Sequence, residues 1–444
     1  MARKRKTITI PDHGISRDVV LKEMESIRDS DAKWKDGKTF AYVYYAGEEH
    51  YEFLKKAHNL FFSENALSPM TFPSLKKFEA EVISMTADIL GGDRKVFGNI
   101  TTGGTESLLM AVKTYRDWAR EKKPEIKEPE IVLPISAHPS FEKAAHYFGL
   151  VTKKVPWTSE YRCDVDAMKR AITENTIMLV GSAPEYPRGM IDPIKALGEL
   201  AIEHDIGLHV DSCLGGFMLP FLKKLGYPIP DFDFSVPGVT SMSADLHKYG
   251  FAAKGASAVL YANEKLWKYQ FFSTEDWPGG IYASPTMTGT RPGSSIAAAW
   301  ATLKAMGEDG YMKYSKMAMD TAQQLQKGIN KIPGFHVLGK PDMAVFSFTS
   351  EKINIYALGE SMEKRGWVLD KLQDPPALHM IVNPLQGQII DQFISDLRAC
   401  VDHEKEHPTA LTEGMAALYG ALATIPKKDA KDTVLGVIAD QYKV

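Results

Sequence analysis

The sequence predicts an α/β protein with an N-terminal arm, a large domain built on a mainly parallel sheet, and a smaller C-terminal α+β domain. Two observations predict this arrangement. Between residues 96 and 212 short apolar runs alternate with helical runs, which is typical of a parallel sheet covered by helices on both faces. From about Gly307 the alternation gives way to a long helix and scattered short strands. The predicted boundaries are residues 1–58, 59–306 and 307–444.

Composition limits the classes of partner and compartment. A chain of 444 residues with a net charge of −3 can bury a large core and has no basic excess for a nucleic-acid partner. No apolar run reaches the roughly 20 residues that span a bilayer. Three cysteines, Cys163, Cys213 and Cys400, form neither a spaced metal cluster nor a disulfide framework. We therefore expect a cytoplasmic protein without a metal site, a nucleic-acid partner or a transmembrane segment.

The arm contains one predicted helix and an aromatic cluster. The helix begins after Gly14. Its apolar side consists of Val19, Val20, Leu21 and Met24. The aromatic cluster consists of Phe40, Tyr42, Tyr44 and Tyr45. Aromatic side chains at this density predict packing, either against the other lobe or against another subunit.

A loop over residues 63–73 leads into the next predicted helix. Ser74 is a candidate N-cap, and Gly91 with Gly92 ends the helix. The periodic apolar side chains predict a core role with no chemistry. They are Leu75, Phe78, Val82, Met85 and Ile89.

A strand-like run over residues 96–100 ends at the first stretch that indicates chemistry. Gly103, Gly104 and Thr105 open an apolar helical run over residues 108–112. Free backbone N–H groups at a helix start attract phosphate, and glycine lets the phosphate approach closely. Gly104 and Thr105 are therefore candidate phosphate-binding residues.

Polar side chains follow three further predicted strands. His138 follows the apolar run 131–135, and Asp211 lies near the end of the run 208–212. Arg188 follows the run 177–181, where it could bind an anion or form a surface ion pair. Ligands gather at the carboxyl edge of open α/β sheets, so these positions are candidates for a site. A packing role is the alternative for a lone histidine such as His138.

The stretch Ser243–Gly250 places His247 and Lys248 side by side after a turn. An isolated pair of this kind could be a surface feature, but here it follows a phosphate cradle and an acidic strand end. A lysine whose amine is partly neutral can attack a carbonyl. Pyridoxal phosphate (PLP) carries such a carbonyl, and its protonated pyridine nitrogen could pair with Asp211. The three features together predict a PLP site.

The C-terminal domain shows predicted elements but no catalytic constellation apart from a motif around Tyr419. The predicted strands are residues 335–338, 345–348 and 378–382. The predicted helices are residues 311–329, 355–364 and 389–403.

Four stretches resemble the sphingosine-1-phosphate lyase family, which is related to the PLP-dependent amino-acid decarboxylases. They are residues 99–107, 209–217, 243–255 and 276–285, and the likeness extends from about Tyr44 to about Tyr419. The resemblance implies a fold-type I PLP-dependent transferase-like fold and a homodimer with shared active sites. It also implies cleavage of the C2–C3 bond of a phosphorylated long-chain base, which gives phosphoethanolamine and a fatty aldehyde.

The resemblance also implies a role for each matching residue. Lys248 would form the Schiff base with PLP, Asp211 would keep the pyridine nitrogen protonated, and His138 would stack on the ring. The residues expected at the cofactor phosphate are Gly104, Thr105 and His247, joined by Gly289 and Thr290 from the neighbouring subunit. The residues expected to contact substrate are Tyr44, which would reach the partner's site, and Asn65, Ser68, Lys254 and Tyr419.

One loop departs from the family pattern. Typical lyases have Asn-x-Leu-His-Pro-Asp here, and their histidine is thought to help hold the substrate phosphate. This chain keeps Asn65 but has Ser68 and Met70 in place of the histidine and the aspartate. A serine donates one hydrogen bond but carries no charge. The departure bears on the substrate rather than on the PLP chemistry.

Two other functions stay open at the level of the sequence. An amino-acid decarboxylase shares the scaffold, but it needs a cation for a carboxylate and no site for a substrate phosphate. A PLP-binding protein without catalysis is the second, although Lys248 and Asp211 argue against it. The general base is also open, with Lys248 or a tyrosine as the candidates.

Overall fold

The computed structural model describes residues 8–408, 419 and 427–442, and its centre is a seven-stranded sheet. The strands are β1 (Phe97–Thr101), β2 (Glu130–Pro134), β3 (Val151–Val155), β4 (Thr176–Ser182), β5 (Gly207–Asp211), β6 (Ser241–Ala244) and β7 (Ser257–Tyr261). Their order across the sheet is β1-β7-β6-β5-β4-β2-β3. Only β7 runs antiparallel to its neighbours. The prediction of a mainly parallel sheet is therefore confirmed.

The reversal of β7 follows from the connection that precedes it. Residues 245–256, which include Lys248, join β6 to β7 without a helix. A parallel neighbour needs a crossover connection, usually helical, whereas a direct return gives an antiparallel pair. The lysine therefore lies in a loop at the end of β6.

Helices cover both faces of this sheet. They are α3 (Pro73–Ile89), α4 (Gly104–Lys122), α5 (Ser140–Phe148), α6 (Val165–Ala171), α7 (Ile194–Glu203), α8 (Leu219–Lys224) and α9 (Glu264–Trp267). Every residue of β2, β4, β5, β6 and β7 is buried. Burial on both faces explains why these strands are near-continuous apolar runs in the sequence.

The start of α3 differs from the prediction. Pro73 occupies the first helical position, and Phe72 precedes it as the N-cap residue without a side-chain hydrogen bond. Ser74 therefore lies inside the helix, and its prediction as a cap was wrong. Proline suits the first turn because its missing N–H would have no helical partner there.

A long helix, α10, leads from the first sheet to a second one. It spans Gly293–Asn330, with non-helical angles at Gly307. The sequence predicts only the part after residue 311. The earlier part is largely buried and packs against α3 and α2 (Glu48–Leu60).

The second sheet has four antiparallel strands in the order β10-β11-β13-β12. The strands are β10 (Phe335–Val337), β11 (Val345–Ser350), β12 (Asp370–Gln373) and β13 (Pro376–Ile381), and a hairpin of β8 (Phe272–Thr274) and β9 (Tyr282–Ser284) lies apart. The helices here are α11 (Ile355–Glu363) and α12 (Ile390–Glu406), and a last helix spans Lys427–Gln441. Strand β12 was not predicted because three of its four side chains are polar.

Part of the predicted arm belongs to this second sheet. Thr39 forms a bridge with Val368, and the Phe40 carbonyl accepts a hydrogen bond from the Ile381 amide. By contrast, α1 (Arg17–Arg28) has no buried residue. Among the described residues, no helix is both long enough and apolar enough to cross a membrane.

Gly189 provides a sharp test of the packing between the two sheets. Its φ is +76°, and an added Cβ would lie 2.0 Å from the Val345 carbonyl oxygen of β11. We expect Gly189→Ala to lower the free energy of unfolding by more than about 3 kcal/mol, because backbone must move as well as adopt a left-handed angle.

Gly149 is the matched control, with a φ of +72° and no atom within 4 Å of an added Cβ. Gly149→Ala should cost only about 1–2 kcal/mol. Urea unfolding of both variants gives the comparison. Equal losses would show that the close approach to Val345 is not what restricts position 189.

Candidate active site

Six of the predicted site residues meet in one cavity at the carboxyl edge of the first sheet. The cavity holds about 590 Å³. Its walls come from the segments that follow β1, β2, β4, β5 and β6, which all run in the same direction. Five of its lining residues are Gly104, His138, Asp211, His247 and Lys248. The chemistry predicted at separate strand ends is therefore brought together.

The start of α4 forms a narrow cradle in this cavity. An added Cβ on Gly104 would lie 2.7 Å from an Asp245 carboxylate oxygen and 3.0 Å from Cys213 Sγ, so only glycine fits. The Thr105 hydroxyl accepts a hydrogen bond from Ser140 at 3.0 Å. The backbone amides of the first helical turn are available to an anion there.

Glu106 fixes the cradle to a second loop and was not predicted from the sequence. One carboxylate oxygen accepts hydrogen bonds from the Thr102 amide and hydroxyl, both at 2.7 Å. The other accepts the Met287 amide at 2.9 Å. Glu106 therefore ties the loop of Met287 and Thr288 to the cavity wall.

Asp211 lies at the last position of β5 and is almost fully buried. One of its oxygens accepts the Cys213 amide at 3.0 Å and lies 3.4 Å from the Ser243 hydroxyl. His138 is half-buried after β2, and its Nδ1 accepts the Ser140 amide at 3.2 Å. Burial lowers the pKa of His138. His138 is therefore a neutral ring at the cavity wall, as stacking on a cofactor requires.

Lys248 is paired with a carboxylate that was not assigned a role from the sequence. Its Nζ lies 3.0 Å from Asp245 Oδ2, and Asp245 is 1% exposed. Burial alone would lower the pKa of Lys248, but Asp245 raises it above the usual value. The lysine is therefore an ammonium in the free chain, and it does not yet meet the condition of a partly neutral amine for attack on a carbonyl. Asp245 is the nearest acceptor for the proton that Lys248 must lose before it attacks a carbonyl.

His247 faces the cradle from the opposite side. Its Nδ1 accepts the Ala256 amide at 3.2 Å, so Nε2 carries the proton. Its Cε1 would be 3.3 Å from a Cβ added to Gly103. Burial lowers the pKa of His247 to about 4. His247 can therefore offer a neutral N–H donor to a phosphate, but not a positive charge.

Tyr44 and Lys254 lie together on the second sheet's side of Lys248. The Lys254 Nζ sits 5.0 Å from the Tyr44 ring centre, and its charge interacts with that of Lys248. Burial raises the pKa of Tyr44, while Lys248 opposes this effect. Hydrogen bonds of Phe40 and Tyr45 hold this segment on the second sheet of its own chain. Tyr44 therefore lies beside Lys248 of its own chain, and its reach into a partner's site stays a prediction.

Tyr186 is a further lining residue that the sequence did not single out. Its hydroxyl donates to Asp370, which also accepts the hydroxyl of Tyr42. Its ring stacks on His379 with centres 4.2 Å apart. Burial and the charge of Asp370 raise the pKa of Tyr419. The centre of the Tyr419 ring lies 5.7 Å from that of Tyr356. The position of Tyr186 after β4 was the available signal, whereas Asp370 lies far along the chain.

Four predicted residues form a separate group, two of them in the loop over residues 63–73 and two at positions 289 and 290. Asn65 Nδ2 donates to the Thr290 hydroxyl at 3.2 Å, and Asn65 Oδ1 accepts the Arg291 amide at 3.2 Å. Gly289 precedes this pair. The Ser68 hydroxyl hydrogen-bonds to Thr71 at 2.8 Å. Asn65, Ser68, Gly289 and Thr290 are absent from the lining of the Lys248 cavity.

Other predicted features lie outside the cavity. Arg188 is 1% exposed, pairs with Glu185 at 3.2 Å and lies between the rings of Trp157 and Tyr161. Arg188 therefore forms an ion pair, as one of the two predictions had it, but the pair is buried and not at the surface. Met70 is 92% exposed. Of the motif predicted around Tyr419, residues 414–418 and 420 lie outside the described residues.

The cavity fits PLP in shape and in donor set. Gly104 and Thr105 provide a helix start for the phosphate, His247 provides a neutral donor, and Asp211 lies deeper in the cavity. The buried Asp245 carboxylate lies next to the lysine, with Oδ2 3.0 Å from the lysine Nζ. His138 provides a flat face. A ligand with a phosphate, a ring nitrogen and a carbonyl would meet all of these groups.

Known proteins match this chain over most of its length. The pyridoxal-dependent decarboxylase conserved domain matches residues 3–351. The sphingosine-1-phosphate lyase of Oryza sativa subsp. japonica is 46% identical over 94% of this chain and 79% of the relative. Sphingosine-1-phosphate lyase 1 of Rattus norvegicus is 46% identical over 95% of this chain and 74% of the relative.

Solved structures share the fold. That of the Burkholderia pseudomallei K96243 sphingosine-1-phosphate lyase has a TM-score of 0.87 and 41% identity, and the match covers 90% of this chain and 94% of that chain. Lactobacillus brevis glutamate decarboxylase has a TM-score of 0.80 at 18% identity, over 92% of this chain and 97% of that chain. The second likeness concerns the fold alone. The predicted fold class and the predicted cofactor are both confirmed.

Proposed function

Because the chain belongs to the sphingosine-1-phosphate lyase family, we propose that it is a PLP-dependent lyase acting on a phosphorylated long-chain base. It cleaves the C2–C3 bond and releases phosphoethanolamine and a fatty aldehyde. The observation that carries the proposal is the meeting of Lys248, Asp211 and His138 with a phosphate cradle in one cavity. Relatives of that name at 46% identity support the same substrate class.

The side chains divide the work of the reaction. PLP supplies an electrophilic carbonyl and a ring that accepts the electrons of the broken bond. Lys248 would provide the amine that binds the cofactor, and Asp245 would accept the proton of that amine. Asp211 would hold a proton on the ring nitrogen, and His138 would cover one face of the ring. The proton of the substrate's C3 hydroxyl leaves to Lys248 or to a tyrosine at the site, such as Tyr44 or Tyr186.

The substrate phosphate is assigned to Lys254 with Tyr44. Lys254 is a cation whose charge interacts with that of Lys248, and its ammonium lies over the Tyr44 ring. Asn65, Ser68 and Tyr419 are further candidate contacts. An amino-acid decarboxylase is the alternative, because Lys254 could bind a carboxylate and Ser68 carries no charge for a phosphate.

A direct assay separates these functions. Purified protein loaded with PLP is incubated with dihydrosphingosine 1-phosphate, and in parallel with aromatic and acidic amino acids. We expect a long-chain aldehyde and phosphoethanolamine from the first. Carbon dioxide from an amino acid without aldehyde would replace the proposal by the decarboxylase alternative. An absorption band of bound PLP without either product would refute both and leave a cofactor-binding protein.

We further propose a homodimer with shared active sites. The group of Asn65, Ser68, Gly289 and Thr290 does not line the Lys248 cavity of its own chain. An apolar cavity of about 830 Å³ borders residues 66–69. Apolar side chains of α1 are exposed, including Leu21, Met24 and Ile27. A twofold dimer would cover such surfaces and exchange loops reciprocally.

Mixing two inactive variants tests the sharing of sites. We expect Asn65→Ala and Lys248→Ala to be inactive alone, and their mixture to regain roughly a quarter of the wild-type activity after subunit exchange. Half of the dimers are then hybrids, and each hybrid has one intact site. A mixture of Lys248→Ala with Asp211→Asn is the control, because both residues line the same chain's cavity, so each site of a hybrid carries one of the two changes and no activity should return. An Asn65→Ala mixture that stays as inactive as the control would place Asn65 outside a shared site.

The pH dependence of substrate binding tests Lys254. Lys254 as a whole is exposed, but protein surrounds its ammonium, and this burial with the nearby Lys248 lowers the pKa of Lys254 to about 8. The cation is present below that pH and is lost above it. We therefore expect kcat/KM for the phosphorylated base to fall by up to about tenfold per pH unit above pH 8. Lys254→Arg stays charged and should remove the fall. An unchanged fall in Lys254→Arg would exclude Lys254 as its source.

The remaining assignments concern organisation and compartment. We propose residues 1–58 as an arm, 59–306 as the large domain and 307–444 as the small domain, with the break at Gly307 in support. We propose a cytoplasmic location. Three free, buried cysteines fit a reducing compartment.

A further inference from the structure

A chain of buried hydrogen bonds runs behind Asp211, away from the cavity. The Ser243 hydroxyl lies 3.4 Å from Asp211 Oδ1 and 3.3 Å from His209 Nε2. His209 Nδ1 lies 2.8 Å from the Ser241 hydroxyl, and that hydroxyl lies 2.7 Å from the hydroxyl of Tyr115. His209, Ser241 and Ser243 have no exposed surface, and Tyr115 is 1% exposed.

Side chains from one helix and two strands form this chain of hydrogen bonds. His209 lies two residues before Asp211 on β5, and alternation along a strand places both on the same face of the sheet. Ser241 and Ser243 have the same spacing on β6, and β6 pairs His209 with Ser241 and Asp211 with Ser243. Tyr115 comes from α4, whose other end forms the phosphate cradle.

The donors and acceptors of this hydrogen-bond chain can be satisfied when each hydrogen points toward Asp211. Burial lowers the pKa of His209 to about 4, so the ring is neutral and has one donor and one acceptor. If Nε2 carries the proton, it donates to Ser243, and Ser243 can donate to Asp211. The Cys213 thiol fills the second acceptor position of Ser243 at 3.3 Å. Ser241 then donates to Nδ1 and accepts from Tyr115.

The opposite tautomer of His209 leaves the Asp211 carboxylate with fewer hydrogen-bond donors. With the proton on Nδ1, Ser243 would turn its hydrogen toward Nε2, and Asp211 would keep only the Cys213 amide among these donors. A buried carboxylate gains more from a donor than a neutral ring does, because charged hydrogen bonds are the stronger ones. The carboxylate therefore selects the first tautomer.

We propose that His209 is a positioning residue whose Nε2 proton orients Ser243 toward Asp211, so that Asp211 stays a carboxylate opposite the pyridine nitrogen. The proposal rests on the proposed function only for the use of PLP. His209 touches neither cofactor nor substrate and acts through Ser243. This role explains why a histidine without exposed surface lies directly behind Asp211, the residue that pairs with the pyridine ring.

The first test reads His209 in the protein without added substrate. Selective ¹⁵N labelling of histidine identifies the tautomer, and the His209 signals are assigned by their loss in His209→Phe. We expect a neutral ring with the proton on Nε2. A proton on Nδ1, or a cationic ring at neutral pH, would overturn the proposal.

The second test reads the pyridine nitrogen itself. Protein is loaded with ¹⁵N-labelled PLP, and the nitrogen signal is compared between variants. In the wild type it should have the value of a protonated pyridine. Ser243→Ala and His209→Phe should move it toward the unprotonated value and lower kcat about tenfold to a hundredfold. Because Ser243→Ala removes one oxygen, it keeps the test valid if His209→Phe fails to fold.

A matched pair of tyrosines provides the control. Tyr115→Phe removes the outer end of the chain and should shift the nitrogen signal in the same direction by a smaller amount. Tyr261 is equally buried, and its hydroxyl lies 2.9 Å from Thr114, outside the chain. Tyr261→Phe should leave the signal unchanged.

The outcomes separate this inference from the proposed lyase function. A shifted nitrogen signal in Ser243→Ala supports the inference even if the substrate assay points to a decarboxylase. An unshifted signal in both Ser243→Ala and His209→Phe refutes it even if the lyase activity is established. Equal shifts in Tyr115→Phe and Tyr261→Phe would also refute it, since the effect would then come from lost packing.

Discussion

Lys248→Ala is expected to lower kcat for aldehyde formation on the order of 10³-fold or more. The Lys248 amine lines the cavity beside the buried Asp245, which lies close to Gly104 of the phosphate cradle, and loss of a covalent nucleophile has effects of this size. The absorption band of bound PLP should change from that of a lysine-linked cofactor to that of free PLP. Aldehyde release with dihydrosphingosine 1-phosphate and an absorption spectrum of the loaded variant provide the measurements.

Lys248→Arg separates the charge of the lysine from its reactivity. Arginine keeps a cation beside Asp245, so the buried carboxylate retains its partner, but it cannot form the covalent link. We expect Lys248→Arg to be as inactive as Lys248→Ala and to be the more stable of the two, since Lys248→Ala leaves Asp245 buried without a cation. Measurable turnover by Lys248→Arg would contradict the assignment of Lys248 as the amine that binds PLP.

The pairing of Lys248 with Asp245 also gives a reason for the order of events at the site. The free chain holds the lysine as an ammonium, which cannot attack a carbonyl. A phosphate bound in the cradle would bring negative charge near Asp245, because Gly104 lies close to that carboxylate. Repulsion between the two would favour transfer of the lysine proton to Asp245. Binding of the cofactor phosphate would thus help to convert Lys248 into the neutral amine that attacks the cofactor.

The sequence predicts those parts of the site that lie at strand ends. His138 and Lys248 follow buried strands and Asp211 ends one, and a parallel sheet brings such positions to one edge. The prediction succeeds there because burial on both faces leaves a clear apolar signal, and because the direction of the strands follows from the helices between them. Most of the predicted strands of the first sheet agree with the structure within about two residues.

Contacts between distant parts of the chain leave no such signal. Asp370 meets Tyr186 and Tyr42 across the two sheets, and neither periodicity nor spacing relates these positions. Asp370 lies on strand β12, and this strand shows no apolar pattern because three of its four side chains are polar. Glu106 looks like an ordinary acidic residue in a first helical turn, and its hydrogen bond to Met287 depends on a loop that the sequence does not position.

Asp211→Asn is the second change for which we expect a large effect. Asparagine keeps the shape and can still accept the Cys213 amide through its oxygen, but it removes the charge opposite the pyridine nitrogen. Loss of one partner from a buried ion pair costs about 3–5 kcal/mol. We therefore expect kcat or the affinity for PLP to fall roughly 10²- to 10³-fold. Steady-state kinetics at saturating PLP and a PLP titration divide the loss between the two.

Asp233→Asn is the matched control for this change, since Asp233 is equally buried but hydrogen-bonds to Ser235 away from the cavity. It should affect stability without changing kcat or PLP affinity. Asp211→Ala loaded with N-methylated PLP gives a stricter test, because the nitrogen charge of that cofactor is permanent and alanine leaves room for the methyl group. Partial recovery of activity is expected if Asp211 acts by keeping the nitrogen charged. Wild-type kcat in Asp211→Asn, or no gain from the methylated cofactor, would mean that the electron-accepting ring does not depend on this carboxylate.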